Sequence, residues 1–459
     1  MQQYFAGKRP RTNFAAMRKW ITLSPGEPLK LEAALLALTA DFEEAVVLSD
    51  RWSQPQGWYQ KLQRFSLLAG LGALESHQGP LAQLGRALDK DDWYLGHLSY
   101  KLQEELFPLQ PKAAREQIPF APLSFFRPRW LVLNDAEGPR LGYDPRHDDE
   151  KTAGDFIERL LERRESPEPK SSQQLPQLQA CLSREQYLEA VRDLQEHIHR
   201  GDIYEVNFCM EFAAQLPAET PLRYPQDLFG HLADHSAVPF LAFLRQGTRY
   251  ALSASPERYL QKRGRQLFSM PMKGTAARSA DPLHDAALRN ELATSAKERA
   301  ENIMITDLVR NDLARVAQKA SVKVEELCRP YPFPRVHQSV STISATLGDE
   351  KQWVDALLTS FPMGSMTGAP KFSALQLIDR YEQRKRGLYS GAIGYLSPEK
   401  DFDFSVVIRT LLCDTQSRRL SYTAGSAITA LSDPEQEYQE CLLKAAAIYQ
   451  QSSTSAPNK

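Results

Sequence analysis

The chain has 459 residues, of which 42% are apolar and 25% charged, with 56 basic against 57 acidic side chains and a formal net charge of −1. That balance leaves no overall electrostatic footprint for nucleic acid or an anionic membrane, and the composition is that of a globular protein with a sizeable core, not a disordered one. Five cysteines (Cys181, Cys209, Cys328, Cys413 and Cys441) are odd in number and far apart, without CxxC or zinc-ligand spacing, so they read as reduced thiols.

The first residues, MQQYFAGKRPRTNFAAMRKW, are basic but lack a long apolar stretch and a cleavage site. No run approaches the roughly 18 apolar residues of a membrane span, so a cytoplasmic location is expected. Residues 33–38 and 81–88 read as helices, and 93–98 and 130–134 as strands. Residues 162–177 (ERRESPEPKSSQQLPQ) are charged, proline-bearing and aperiodic, as a linker or exposed loop would be. A boundary placed there separates an N-terminal α/β region, 1–165, from a larger region, 180–451.

Beyond it, apolar residues at Tyr187, Leu188, Val191, Leu194 and Ile198 mark a helix that stops at Gly201. Strands are expected at 205–210, 240–244, 250–254 and 267–270, and then a long helix or helix pair over 285–316. Further strands are expected at 321–327, 339–347, 391–396, 404–412 and 420–424, with helices at 371–383 and 434–451. Strands and helices come in unequal blocks, which favours an α+β fold of sheets with flanking helices over a doubly wound parallel one.

The most informative stretch is 268–278, FSMPMKGTAAR. Lys273 is set in a tight turn between Pro271 and Gly274, and a desolvated amine there would lose its charge and become a nucleophile. A solvated surface lysine is the alternative. Glu257, on the turn after a strand in SPER, stands sixteen residues earlier in the sequence. A strand hairpin would bring the two together.

Two acidic pairs have i, i+3 spacing: Glu298 with Glu301, and Glu437 with Glu440. Facing helices with such pairs suit Mg²⁺, which takes one or two carboxylates and completes its shell with water and a substrate anion. Solvated helix faces would look the same. The loop 361–371 (FPMGSMTGAPK) runs into a helix and offers amide N–H groups with the hydroxyls of Ser365 and Thr367 to an anion, although it lacks the GK[ST] of a Walker A loop. Arg409 interrupts an apolar strand, pointing either to solvent or to a buried carboxylate. His337 is a candidate donor or a structural histidine.

The series SPER, PMKGT, SAKERAENIMITDLVRND, VHQSVST, FPMGSMTGAPK, RGLYSGAIGYLS, DFSVVIRT and DPEQEYQE, in that order, resembles the chorismate-utilising enzymes, which include anthranilate synthase component I, aminodeoxychorismate synthase component I and the isochorismate and salicylate synthases. The likeness is strong over 183–450 and weaker before the linker. It implies large antiparallel β-sheets packed as a sandwich with flanking helices. It further implies that Glu301 and Glu440 bind Mg²⁺ that holds the ring carboxylate of chorismate, with Glu298 and Glu437 nearby through water. Tyr389, Arg409 and the amides around Gly425 would grip the enolpyruvyl carboxylate. Gly274, Thr275, Ser365, Thr367 and Lys444 would complete the substrate-binding set. Lys273 would add at C2 while the C4 hydroxyl leaves, with Glu257 as general acid and His337 assisting.

Within the family the lysine of PMKGT marks the aminodeoxychorismate synthase branch, where anthranilate and isochorismate enzymes usually carry alanine. The water-adding enzymes need a lysine where this chain has Glu205. Ammonia is therefore the expected nucleophile, delivered by a separate glutamine amidotransferase subunit, since no GxCxG-like elbow is present. A transferase of the transaminase class follows, making 4-amino-4-deoxychorismate for 4-aminobenzoate and folate. Anthranilate synthase component I and a non-catalytic regulatory scaffold are the alternatives. Two departures stand out: AGSAI at 424–428 in place of a glycine-rich AGAGI, and Glu205 in place of the usual glutamine. Glu205 is expected to be protonated or directed away from an anionic substrate.

Overall fold

The computed structural model describes residues 18–24, 27–52, 55–109, 116–165 and 175–452. Residues 166–174 of the inferred linker lie outside these, and the helix Glu150–Glu165 reaches into its first positions. Among the described residues twenty strands, every pairing antiparallel, join in one continuous hydrogen-bonded network that divides at one long strand into two sheets.

That strand is Leu123–Asp135. Its first residues pair with Tyr94–Leu98 and its last with Gly138–Tyr143, while Leu67–His77 accompanies nearly its whole length. The sequence pattern revealed only 130–134, because Pro128 reads as a breaker. Pro128 instead lies opposite Ala73 where the register slips, a position at which a missing N–H is tolerated.

The first sheet continues from Leu67–His77 through Glu44–Ser49, Phe240–Gln246, Arg249–Ser255, Thr410–Asp414 and Arg419–Ile428 to Glu205–Gln215. The second continues from Tyr94–Leu98 through Ala392–Leu396, Phe402–Val406, Arg258–Arg263 and Gln266–Met270 to Val336–Thr346. Strands from either side of the linker thus pair in both sheets. Between the sheets, Val46, Leu68, Leu244 and Leu412 from one meet Leu95, Ile393 and Tyr395 from the other in a single apolar layer. Helices cover the outer faces, giving the expected α+β sandwich.

Local signals explain most boundaries. Ser183 and Gln186 close a capping box before the helix Arg184–His199, and Gly201, at φ +83°, follows its end. The 285–316 segment is a helix pair, Pro282–Thr294 and Ala296–Ala314, restarted at Ser295, whose hydroxyl accepts from the Glu298 amide. The expected strand over 404–412 is broken into Phe402–Val406 and Thr410–Asp414, with Arg409 at φ +51° in the corner between them. Among the described residues no helix is long and apolar enough to cross a membrane.

Candidate active site

The strands Arg258–Arg263 and Gln266–Met270 form a hairpin in which Arg258 is opposite Met270. Glu257 immediately precedes one arm, and Pro271, Met272 and Lys273 follow the other. Consecutive side chains diverge here. Glu257 accepts from the Ser365 hydroxyl at 2.7 Å, whereas Arg258 holds Asp403 through two hydrogen bonds of 2.9 and 3.1 Å.

Lys273 does not occupy the tight turn expected of it. It lies in the strand Met272–Ala277, where residues 273 and 274 stand against the single residue Ser339 of the partner strand. This β-bulge turns the lysine away from the ladder. Gly274 permits it, at φ +93°, and a Cβ there would lie 2.6 Å from Glu298 Oε2. Asn302 fastens the bulge by donating to the carbonyls of Lys273, at 3.2 Å, and Ser339, at 3.0 Å.

The Lys273 ammonium, 13% exposed, rests 2.7 Å from Glu205 Oε1. Glu205 begins the strand Glu205–Gln215 opposite Ala369, so the loop that carries Ser365 also fixes Glu205. Burial works against the lysine's charge, but the Glu205 carboxylate outweighs it, with Glu301 and Glu257 adding, and the amine is held protonated above its ordinary range. The expectation of an uncharged amine is corrected for this state of the protein. Glu205 is not directed elsewhere, since the lysine is its partner. Its Oε2 is buried with no hydrogen-bond partner.

Burial pushes the Glu257 carboxyl up to about 7, against the pull of Ser365, Lys273 and Arg409. Glu301 is also pushed up to about 7 by burial, opposed by Lys273 and reinforced by Glu205 and Glu298. Two carboxyls poised near neutrality beside a buried lysine are a combination suited to proton transfer.

Arg409 points neither into open solvent nor into a carboxylate's fork. It is half-buried, its guanidinium has no hydrogen-bond partner among the described residues, and burial lowers its pKa against the opposing pull of Tyr422 and Glu257. A strained, unpaired cation of this kind suits an anionic ligand. Tyr389 is buried with its hydroxyl 4.0 Å from Cys209 Sγ, and a Cβ on Gly425 would lie 2.6 Å from that sulfur. Tyr389 and Gly425 therefore both lie against Cys209. Lys444 donates to the Gly425 carbonyl at 2.8 Å and pairs with Glu440 at 2.6 Å.

The four helical glutamates divide into two pairs, with Lys297 acting electrostatically on both Glu301 and Glu437. Burial and Glu440 raise the Glu437 pKa, with Ser432 opposing. No three acidic, histidine or cysteine side chains among the described residues form a ready metal cage. The donor set nevertheless fits Mg²⁺: Glu298 raises the pKa of Glu301 and Glu440 that of Glu437, as a cation would reverse, and the Glu440 side chain is half exposed.

Three expected members are placed differently. His337 is buried on Val336–Thr346, its Nε2 3.0 Å from Asp285 Oδ1, which Arg278 also holds; none of these contacts joins it to Lys273 or Glu257. The Thr367 hydroxyl donates within its own loop, to Met363 and Gly364 carbonyls, and is fully buried. Thr275 is exposed, one residue past the bulge. Conversely, Arg386 was not anticipated, since RKR reads as a solvated basic run. It is buried and donates to Glu382, Met366 O, Asn207 O and Ser390 Oγ, tying the loop, the Glu205 strand and the Tyr389 turn together.

A family model described as chorismate binding enzyme matches residues 48–450. The chain belongs to the chorismate-binding enzyme family. Among curated relatives, aminodeoxychorismate synthase component 1 of Klebsiella aerogenes is 42% identical over 272 residues, 59% of each chain. The protein of the same name from Salmonella typhimurium is 37% identical over 346 residues, 75% of this chain and 73% of that one. The chain thus spans just under three-fifths of the length of the first of these relatives. Solved structures share its fold: anthranilate synthase component I from Streptococcus pneumoniae has a TM-score of 0.73 at 24% identity, covering 84% of this chain and 92% of that one. The menaquinone-specific isochorismate synthase MenF of Escherichia coli has the same TM-score at 19% identity, covering 95% and 94%.

Proposed function

We propose that this protein aminates chorismate at C4, giving 4-amino-4-deoxychorismate, as the aminating component of a two-subunit synthase. The observation that carries the reading is Lys273, turned by a bulge into a buried site where Glu205 holds it and Glu257 is within electrostatic reach. The relatives named aminodeoxychorismate synthase component 1 support it. A separate glutamine amidotransferase subunit supplies ammonia, and the pair works in the cytoplasm.

In this reading Arg409, beside Tyr422, receives one carboxylate of chorismate, and Tyr389 with the backbone at Gly425 closes around it. Glu301 and Glu440, with Glu298 and Glu437, would hold Mg²⁺, which would supply orientation and charge neutralisation for the ring carboxylate. Lys273 forms a bond to C2 as the C4 hydroxyl departs with a proton from Glu257. Ammonia then adds at C4 and the lysine is released.

The test is incubation with chorismate, Mg²⁺ and ammonium salt. A product that is non-fluorescent, retains its pyruvyl group and becomes 4-aminobenzoate only after a pyridoxal-dependent lyase is added supports the reading. Fluorescent anthranilate with released pyruvate, or an undiminished rate in excess EDTA, contradicts it.

A further inference from the structure

Resting on that reading, we infer that Glu205 is the base of the covalent half-reaction: it takes the proton of Lys273 as the amine attacks, keeps it while the adduct exists, and returns it on release. Three observations carry this. Among the described residues, Glu205 is the one carboxylate paired with the Lys273 ammonium, Oε1 standing 2.7 Å from Nζ. The carboxylate is 1% exposed, so solvent does not compete for the proton. Its Oε2 is buried and unpartnered, so no donor stabilises the ionised form from the other side. Other charged groups act on the pair without being placed to accept this proton. Glu301 and Glu257 act on Lys273, and Glu301 in turn feels Glu205, Glu298 and Lys297. None of them lies within 4.0 Å of Nζ, and Glu257 is already committed to Ser365.

The proton accounting closes. Transfer from Nζ to Glu205 yields a neutral amine. Its lone pair forms the bond to C2, the ring double bonds shift, and the C4–O bond breaks, the oxygen leaving as water with the Glu257 proton. Nζ is now a secondary ammonium. Ammonia attacks C4, the double bonds shift back, and the C2–N bond breaks with its electrons returning to Nζ as a neutral amine. The new C4 ammonium gives one proton to Glu257, and Glu205 returns its own to Lys273. Chorismate and ammonia become 4-amino-4-deoxychorismate and water, with both glutamates restored. A glutamine at position 205 cannot take the proton, which then has to leave to solvent before attack.

The experiment compares wild type with Glu205→Gln and Glu205→Asp in two readouts. The first is single-turnover formation of the Lys273 adduct from chorismate and Mg²⁺ without ammonia, between pH 6 and 8. The ratio of the Glu205→Gln rate to the wild-type rate is expected to fall about tenfold for each unit by which pH is lowered, one proton being lost to solvent before attack; Glu257 affects both rates alike and cancels. Glu205→Asp is expected to keep the wild-type profile at a lower rate. The second readout needs no turnover: carbamylation of Lys273 by cyanate, read by peptide mass spectrometry, is expected to be at least about tenfold faster in Glu205→Gln, because the ammonium has lost its counter-charge. A rate ratio constant with pH, or an unchanged carbamylation rate, overturns the base role. An absence of any adduct in wild type overturns the amination reading instead, and the inference with it.

Discussion

Two lysines are held against carboxylates beside the 361–371 loop, Lys371 at its end and Lys273 through Glu205, which pairs with Ala369, and their surroundings separate a structural cation from a reactive one. Lys371 gives all three ammonium hydrogens away, to Asp312 at 2.6 Å and to the carbonyls of Ser360 at 3.0 Å and Pro362 at 2.8 Å. Lys273 has one ion-pair partner among the described residues, Glu205. Burial dominates at Lys371 and lowers its pKa despite Asp312, whereas at Lys273 surrounding carboxylates prevail over burial and raise it. A saturated donor shell leaves no lone pair to expose and no room for a substrate. An unsaturated shell with a proton acceptor attached offers both.

Substitutions can break this contrast. Lys273→Ala is expected to slow amination by at least about 10⁴-fold, because no other amine reaches the ring, while chorismate binding measured by calorimetry is retained. Glu257→Gln is expected to cost about 10²- to 10⁴-fold in kcat, since it removes the proton that accompanies the departing hydroxyl. Because the acid works only when protonated, the wild-type rate should fall as pH rises through about 7, the value to which burial raises Glu257. Stopped-flow turnover across that range checks it.

At the structural lysine the effect should appear in stability instead of chemistry. Lys371→Met leaves Asp312 buried and unpaired and is expected to lower unfolding free energy by about 3–5 kcal/mol, measured by urea denaturation. The double variant Lys371→Met/Asp312→Leu should recover most of that loss, which would sharpen the distinction between a buried pair and a broken one. The smallest effect is expected at the exposed pair of Arg184 with Glu435, where Arg184→Ala should leave the urea denaturation midpoint essentially unchanged.

Local signals made much of this legible in the sequence. The helix that stops at Gly201 and the hairpin linking SPER to PMKGT follow from periodicity and turn chemistry, and the hairpin alone brings Glu257 towards Lys273. What escaped depends on pairing across long sequence separations. The bulge at Lys273 exists because Val336–Thr346 lies opposite it and Asn302 fastens it, neither of which the run FSMPMKGT records. Arg409 reads as a strand residue until the chain is seen to turn there with positive φ. Arg386 is indistinguishable from its basic neighbours, and the partner that determines the charge of Lys273, Glu205, is 68 residues away. The hairpin reading places Glu257 near Lys273, and the two act on each other electrostatically, but the ionised state in which Lys273 waits is not written in that stretch.

The central claim is covalent participation of one particular amine. Peptide mapping of protein quenched after mixing with chorismate and Mg²⁺, without ammonia, should reveal a mass increase of chorismate less one water on the peptide containing Lys273, discharged as 4-amino-4-deoxychorismate when ammonium is added. Product formed at the full rate with Lys273 unmodified, or carried instead on another residue, would contradict it.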